Sequence, residues 1–352
     1  MNNVIRSEPL VSILTVTFNH RKYIEDTIKS VLKQTYSNWE WIILDDGSTD
    51  GTGDVITNVY DERIRYVFQE ETSRDQYAHN YTKALSMSNG DLIAMLDGDD
   101  YWPDYKLAAQ VKSFEEPGIV LSYGECCLVN EKGKNIGYLN IPDDPAMATN
   151  TPVGTSLKIL LKLVSLPRYF LIHTSTVMLR KDVLSRIGGF VYAKGAQPDF
   201  PTWTRISLEG RFAAMHECLG FWRRYPSCGT FRIDQLPLLE GSIVFFKEFI
   251  LEHHERLKDL GFSYDMEKLE KRWEDVKREF IIFQPYNRAM LLLKLGAFTQ
   301  AKNEFKKFLE NAPSFQNRFG YAFVALSSLI HYDVVHPFMS LKERLGKVFH
   351  IQ

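Results

Sequence analysis

The stretch WEWIILDDGSTDGT, residues 39–52, decides the fold. Trp39 to Leu44 is a short apolar run with the length and composition of a buried strand, and it passes without a spacer into Asp45-Asp46-Gly47-Ser48. Glycine permits a tight turn, and Ser, Thr and Asp cap helix N-termini. The whole reads as a strand, a turn and the start of a helix. A capped turn accounts for the serine, threonine and glycine. Two adjacent carboxylates directly after a buried strand exceed what a cap needs, and one is placed to accept hydrogen bonds from a base or ribose at a sheet edge.

The same alternation continues on both sides. Leu10 to Thr17 reads as a buried strand, and Ile24, Ile28, Val31 and Leu32 recur at helical spacing. Downstream come a helix around Val55, Ile56 and Val59, a strand at Ile64 to Phe68, a helix around Ala78, Tyr81 and Leu85, and a strand at Leu92 to Leu96. Strand and helix taking turns predict an α/β fold with a mixed, mostly parallel central sheet flanked by helices. Such folds gather ligands at the carboxyl ends of their strands. Those ends carry Thr17-Phe18-Asn19, Asp45 to Ser48, and Asp97-Gly98-Asp99-Asp100. Three carboxylates within four residues repel one another unless a cation or donor compensates. Hard oxygen ligands suit Mg²⁺ or Mn²⁺ bridging to nucleotide phosphates; a solvated acidic turn is the plainer alternative, since an isolated Asp-x-Asp is nonspecific.

Beyond Pro103 the pattern predicts a helix from Lys106 to Phe114, a strand from Ile119 to Leu128 and a hairpin turn at Glu131 to Lys134. Asn140 to Pro152, with three prolines and two adjacent aspartates, reads as a mobile loop. Ser156 to Val164 reads as a helix and His173 to Leu179 as a strand. After about Arg232 strand signals fade. Helices follow at Glu240 to Leu260, Glu267 to Ile282, Tyr286 to Leu295 and Ala297 to Glu310, with an apolar stretch from Phe319 to Ile330. This divides the chain into an α/β part, 1–232, and an all-α part, 233–352. Leu295-Gly296-Ala297-Phe298 with Ala301, Phe305 and Pro313 resembles one tetratricopeptide repeat.

The 352 residues carry 42 basic and 44 acidic side chains, a formal net charge of −2, so no global field draws the protein to nucleic acid. Cys126, Cys127, Cys218 and Cys228 form no Cys-x-x-Cys pair, which suggests neither a disulfide framework nor a zinc site. The N-terminus lacks a basic head and apolar core, and no eighteen apolar residues run together. A cytoplasmic protein is expected, at most peripheral on the inner face of a membrane.

In their order, these segments resemble the family-2 glycosyltransferases of the GT-A fold from about Pro9 to Tyr225. Val11 to Asn19 looks like the opening strand, and Ile28 to Gln34 with Thr35-Tyr36 like the first helix and turn. Asp45 to Thr52 matches the nucleotide-binding segment, in which the counterpart of Asp46 contacts base or ribose. Ala78-His79-Asn80 falls where the family has Ala-Arg-Asn, so His79 is a departure. Asn89-Gly90-Asp91 leads into the Asp-x-Asp motif, where Asp99 matches the metal ligand and Asp97 its partner toward the ribose; one residue is missing between Trp102 and Pro103. His173-Thr174-Ser175-Thr176-Val177-Met178 with Gly188-Gly189-Phe190 is similar to the segment before the acceptor site. Pro198-Asp199-Phe200-Pro201-Thr202-Trp203-Thr204-Arg205 falls on Glu-Asp-x-x-x-Trp-x-Arg, with Asp199 on the catalytic base and Pro198 in place of glutamate. Leu219 to Pro226 resembles the closing strand, with Tyr225 where many relatives have histidine.

The resemblance implies an inverting transfer of a sugar from a nucleotide-diphosphate donor, most commonly a uridine one, to a hydroxyl of a glycan or lipid-linked glycan. It implies a divalent cation, Mn²⁺ or Mg²⁺, on Asp99 and a base at Asp199. Thr17, Phe18, Asn19, Asp46, Ser48, His79, Asn80, Asp97 and Gly98 would line the donor, and His173, Thr174, Trp203 and Arg205 the acceptor. Read without the family, Asp199 caps the helix carrying Trp203. Two rival readings are an inactive carbohydrate- or nucleotide-binding regulator of the same fold and a scaffold that works through its helical tail. The segment Phe319 to Ile330 reads first as a helix packed on the tetratricopeptide-like unit. Followed by Lys342, Arg344 and Lys347, it has peripheral membrane contact and self-association as alternatives.

Overall fold

The computed structural model describes residues 8–70, 72, 76–141, 172–196, 199–229, 235–330, 333 and 335–336. Strands β1 (Val11–Thr17), β2 (Trp39–Asp46), β3 (Ile64–Gln69) and β4 (Leu92–Met95) alternate with helices α1 (Ile24–Leu32), α2 (Thr52–Thr57) and α3 (Tyr77–Ser86). After α4 (Lys106–Ser113) come β5 (Ile119–Val129), β6 (Asn135–Leu139), β7 (Met178–Arg180), α5 (Lys181–Arg186), α6 (Phe200–Ile206) and β8 (Arg211–Arg223). β1 pairs in parallel with β2 and β4, and β2 with β3. β7 runs antiparallel between β4 and β5, while β8 lies parallel to β5. The sheet order is β3-β2-β1-β4-β7-β5-β6, with β8 also on β5. This is the mixed, mostly parallel sheet that the alternation predicts.

Val11, Ile13 and Leu14 of β1 are inaccessible to solvent, as are Trp41, Ile43 and Leu44 of β2. Strands covered on both faces read as continuous apolar runs for that reason. Each fully buried aliphatic side chain contributes about 1.5–3 kcal/mol. α1 buries one stripe, Ile24, Thr27, Ile28 and Val31, over the same core. The one polar atom carried into it by Trp41 is satisfied, because Nε1 donates to Thr15 Oγ1 at 3.0 Å.

The chain forms two compact units, Met1–Arg223 with Pro237–Met266, and Arg224–Leu236 with Glu267–Gln352. In the first, α7 (Gln235–Glu252) sets Phe245 and Phe246 against Phe200 of α6, with ring centroids 6.4 and 5.9 Å away. Gly241 makes the approach close, since a Cβ there would lie 2.1 Å from the Gly195 carbonyl oxygen. α8 (His254–Asp259) follows, and Arg256 donates to the Leu208 carbonyl at 2.8 Å. The second unit holds α9 (Met266–Lys294), α10 (Phe298–Asn311) and α11 (Phe315–Ile330). Gly296, at φ +74°, takes the left-handed conformation that ends α9, its N–H bonding to the Leu293 carbonyl. Phe305 and Phe308 of α10 pack on Tyr286, and Phe305 on Tyr321. Val324 of α11 is buried, whereas Leu329 is 79% exposed.

Several expectations are corrected. His173 to Leu179 is not one strand: Thr174–Thr176 forms a 3₁₀ turn and β7 has three residues. His173 causes this, its ring accepting from Ser175 N and its carbonyl from Thr176 Oγ1, local bonds that compete with a ladder. The helix expected over Glu240 to Leu260 breaks at His253 (φ −108°, ψ 22°). Conversely, α9 runs unbroken through Pro285, held on either side by Phe283 and Tyr286 against Phe308. The sequence suggested no disulfide, yet Cys127 on β5 and Cys218 on β8 are bonded, with Cα atoms 6.2 Å apart. Ninety-one residues separate them, so only the β5–β8 pairing reveals it. The expected loop beyond Ile141, the helix Ser156 to Val164, Pro198, Arg232 and the basic positions Lys342, Arg344 and Lys347 lie outside the described residues. No helix among the described residues is long and apolar enough to cross a membrane.

Candidate active site

The carboxyl ends of β1, β2 and β4 converge, and their loops are stitched together. Asn19 adopts a left-handed backbone (φ 55°); its N–H donates to Ser48 Oγ and its Oδ1 accepts from Thr49 N. Phe18 beside it is 37% exposed. Asp45 is fully buried, accepting from Ser48 N and Tyr66 OH at 2.8 Å each, so it shapes the turn. Asp46 is half-buried and differently held. Gln69 Nε2 donates to its Oδ1 at 2.6 Å, and Thr72 donates through backbone and hydroxyl. Asn80 completes the ring, accepting from Gln69 and donating to Thr72 Oγ1. His79 is exposed and lies outside this network.

At the end of β4 the three aspartates diverge. Asp97 accepts from Tyr81 OH at 2.8 Å. Its enclosed setting, with Asp99 adding repulsion, pushes its carboxyl well above the usual range. Asp100 is 1% exposed, accepting from Ser175 Oγ at 2.6 Å and Arg223 N at 2.9 Å. Burial raises its carboxyl well above the ordinary range, with Asp99 and Asp97 contributing. Asp99 is 17% exposed at its side chain, and His20 Nε2 stands 3.8 Å from its Oδ2. Gly98 fits between Thr17 and His20, where an added Cβ would meet Thr17 Oγ1 at 2.4 Å.

One residue secures this loop that sequence reasoning passed over. Arg223, at the end of β8, is buried to 1% between the rings of Tyr23 and Tyr101. Its Nε donates to the Asp99 carbonyl at 3.0 Å, one terminal nitrogen to the Glu131 carbonyl at 2.9 Å and the other to Asp26 at 2.7 Å. β8 thus ties the acidic turn to α1 through Asp26.

Asp199 stands at the start of α6, but its side chain does not cap that helix. Instead Thr174 Oγ1, in the 3₁₀ turn, donates to its Oδ2 at 3.1 Å. Burial raises the Asp199 carboxyl above the ordinary carboxylate range, and the Thr174 bond pulls against that rise. Its charge reaches Asp97 and also Tyr77, which contacts Thr174 and Tyr81. Asp97 and Asp199 are therefore joined through Tyr81, Tyr77 and Thr174. His173 packs on Trp222 at 4.3 Å. Trp203 is 1% exposed, and its side chain joins Thr174 in pulling the Asp199 carboxyl back toward its ionised form. Arg205 lies toward α7, 3.9 Å from Glu252, and is not drawn into the cluster.

A mixed sheet with aspartates at adjoining strand ends and a further buried carboxyl alongside defines a glycosyltransferase of the GT-A type. Residues 12–188 match Glycosyl transferase family 2, and the chain belongs to that family. It is 34% identical over 224 residues to the putative teichuronic acid biosynthesis glycosyltransferase TuaG of Bacillus subtilis, covering 61% of this chain and 79% of that one. It is 40% identical over 114 residues to WfaP of Escherichia coli, a UDP-Glc:α-D-GlcNAc-diphosphoundecaprenol β-1,3-glucosyltransferase, covering 32% of this chain and only 45% of that protein. Among solved structures, residues 1–349 of S. aureus TarS align with a TM-score of 0.52 at 16% identity, over 94% of this chain and 91% of that one. The mannosyltransferase PcManGT of Pyrobaculum calidifontis, in complex with GDP-Man and Mn²⁺, aligns with a TM-score of 0.50 at 16% identity, over 100% and 91%. At that identity these two establish the fold.

Proposed function

We propose that this glycosyltransferase moves a sugar from a uridine-diphosphate donor to a hydroxyl of a glycan or lipid-linked glycan, with inversion at the anomeric carbon. The observation that carries the reading is that Asp97 and Asp199 are linked through Tyr81, Tyr77 and Thr174, with Asp99 on the same strand-end turn. The WfaP donor and lipid-linked acceptor support the substrate class. In this reading Asp46, fixed by Gln69 and Thr72, accepts from the base or ribose. Asp199 takes the proton from the acceptor hydroxyl as that oxygen attacks the anomeric carbon, and its raised affinity for protons suits it to that role. Thr174 donates to Oδ2 and steadies the carboxylate for that step.

Asp99, the position that matches the metal ligand of the family's Asp-x-Asp motif, would hold a divalent ion, Mn²⁺ or Mg²⁺, while Asp97 and Asp100 bond to Tyr81, Ser175 and Arg223. Such an ion, when bound, neutralises charge on the departing diphosphate. The chemistry is assigned to 1–232 with the Pro237–Met266 helices that back it, and the remainder of 233–352 to an interaction or membrane-proximal role, self-association included; the protein would work in the cytoplasm, peripheral on the inner face of the membrane. The test is Asp199→Asn assayed with UDP-sugars and Mn²⁺. Transfer falls by ~10²–10⁴-fold while UDP binding by thermal shift persists. Normal turnover in that variant removes Asp199 from the mechanism.

A further inference from the structure

Resting on that reading for the ion itself, we infer that His20 is the second protein ligand of the divalent cation. Its backbone is fixed from both sides: the N–H donates to Thr52 Oγ1 at 2.9 Å, and the carbonyl accepts from Tyr23 N and Ile24 N at the start of α1. The imidazole is fixed too. Nδ1 lies 3.1 Å from Thr17 Oγ1 and Nε2 lies 3.8 Å from Asp99 Oδ2. Gly98 closes the space behind the ring, since a Cβ there would stand 2.8 Å from Nδ1.

This is how metal-binding histidines are built, one nitrogen toward the ion and the other oriented by a hydrogen bond. With the proton on Nδ1 donated to Thr17, the lone pair of Nε2 faces the same space as the Asp99 carboxylate. Two ligands about 2.1 Å from an ion in adjacent octahedral positions stand about 3.0 Å apart, so the 3.8 Å gap closes with a shift of under about 1 Å. No group of three metal-binding side chains exists among the described residues. One carboxylate and one imidazole then leave the remaining positions to diphosphate oxygens and water, the usual arrangement for an ion held jointly with a nucleotide. A nitrogen donor also has a chemical consequence. Mg²⁺ is the harder of the two ions and takes a nitrogen donor less readily than the transition ion Mn²⁺, so His20 tilts the site toward Mn²⁺.

The experiment uses the full chain freed of metal by chelator, saturated with UDP, and titrated with Mn²⁺ by electron paramagnetic resonance and with Mg²⁺ by competition. In His20→Ala the Mn²⁺ affinity falls about tenfold or more and the Mg²⁺ affinity falls less, so the preference for Mn²⁺ shrinks. Asp99→Asn weakens both ions. An equal loss for the two ions, or an unchanged Mn²⁺ affinity, overturns the assignment of His20 while leaving Asp99 in place. If the unmodified chain binds no Mn²⁺ with UDP, the metal reading fails first and His20 with it. Thermal midpoints in chelator verify folding, and His20→Gln reads the same ratio if the alanine variant is unstable.

Discussion

Replacing Arg223 by methionine tests how the acidic turn is held. The substitution deletes three guanidinium contacts, to the Asp99 carbonyl, the Glu131 carbonyl and the Asp26 carboxylate, but keeps the backbone N–H that serves Asp100. Two bonds from a charged donor to backbone carbonyls are worth about 1.5–3 kcal/mol each. The Asp26 side chain is 56% exposed, so that pair adds only about 0–1 kcal/mol. Methionine retains part of the stem's packing and relieves the cost of burying a guanidinium. The net loss is then ~2–4 kcal/mol, toward the lower end of the gross sum. Urea unfolding followed by tryptophan fluorescence reports it cleanly, because Trp39, Trp41, Trp102, Trp203 and Trp222 lie in the first unit and only Trp273 in the second. The same variant should bind Mn²⁺ with UDP more weakly, since Asp99 loses its anchor. A loss under ~1 kcal/mol with unchanged ion affinity refutes the clamp.

Thr174→Val removes the bond that stabilises ionised Asp199, so the acidic limb of the pH–rate profile moves to higher pH; an unmoved limb counts against the contact. Because the folded Asp199 carboxyl is raised above its unfolded value, its contribution to stability is present below the unfolded pKa and lost as pH rises through the folded one. Asp199→Asn, always neutral, should accordingly be more stable than the parent at neutral pH, with the difference vanishing in acid; thermal midpoints across pH decide it. Gly98→Ala drives a Cβ into Thr17 and His20. The expected cost is ~1–3 kcal/mol of stability and reduced thermal stabilisation by Mn²⁺ with UDP; full retention of both means the turn relaxes freely.

The sequence made β1 to β4 legible because strands buried on both faces are unbroken apolar runs, and it placed Asp46, Asp97 and Asp99 at their ends. It did not disclose how each carboxylate is held. That depends on partners from distant parts of the chain: Ser175 and Arg223 for Asp100, Tyr81 for Asp97, Gln69 and Thr72 for Asp46. Arg223 lies in Phe221-Trp222-Arg223-Arg224-Tyr225, where a basic pair reads as surface, and only the rings of Tyr23 and Tyr101 enclose it. Asp199 was visible through the family pattern, whereas its residues alone read as a cap. His20 carried no periodic or motif signal. Its proximity to Asp99 arises from the left-handed turn at Asn19.

The return of Pro237–Met266 to the first unit bears on how the enzyme can be cut, swapped or inherited. Phe245 and Phe246 shield Phe200, the residue next to Asp199, so a fragment ending at 232 strips the backing from the very helix that presents the base. A working minimal enzyme must extend through Met266. Recombination that exchanges tails in this lineage therefore has its natural breakpoint after α8, where a new C-terminal module can be attached without disturbing the helix start that carries Asp199.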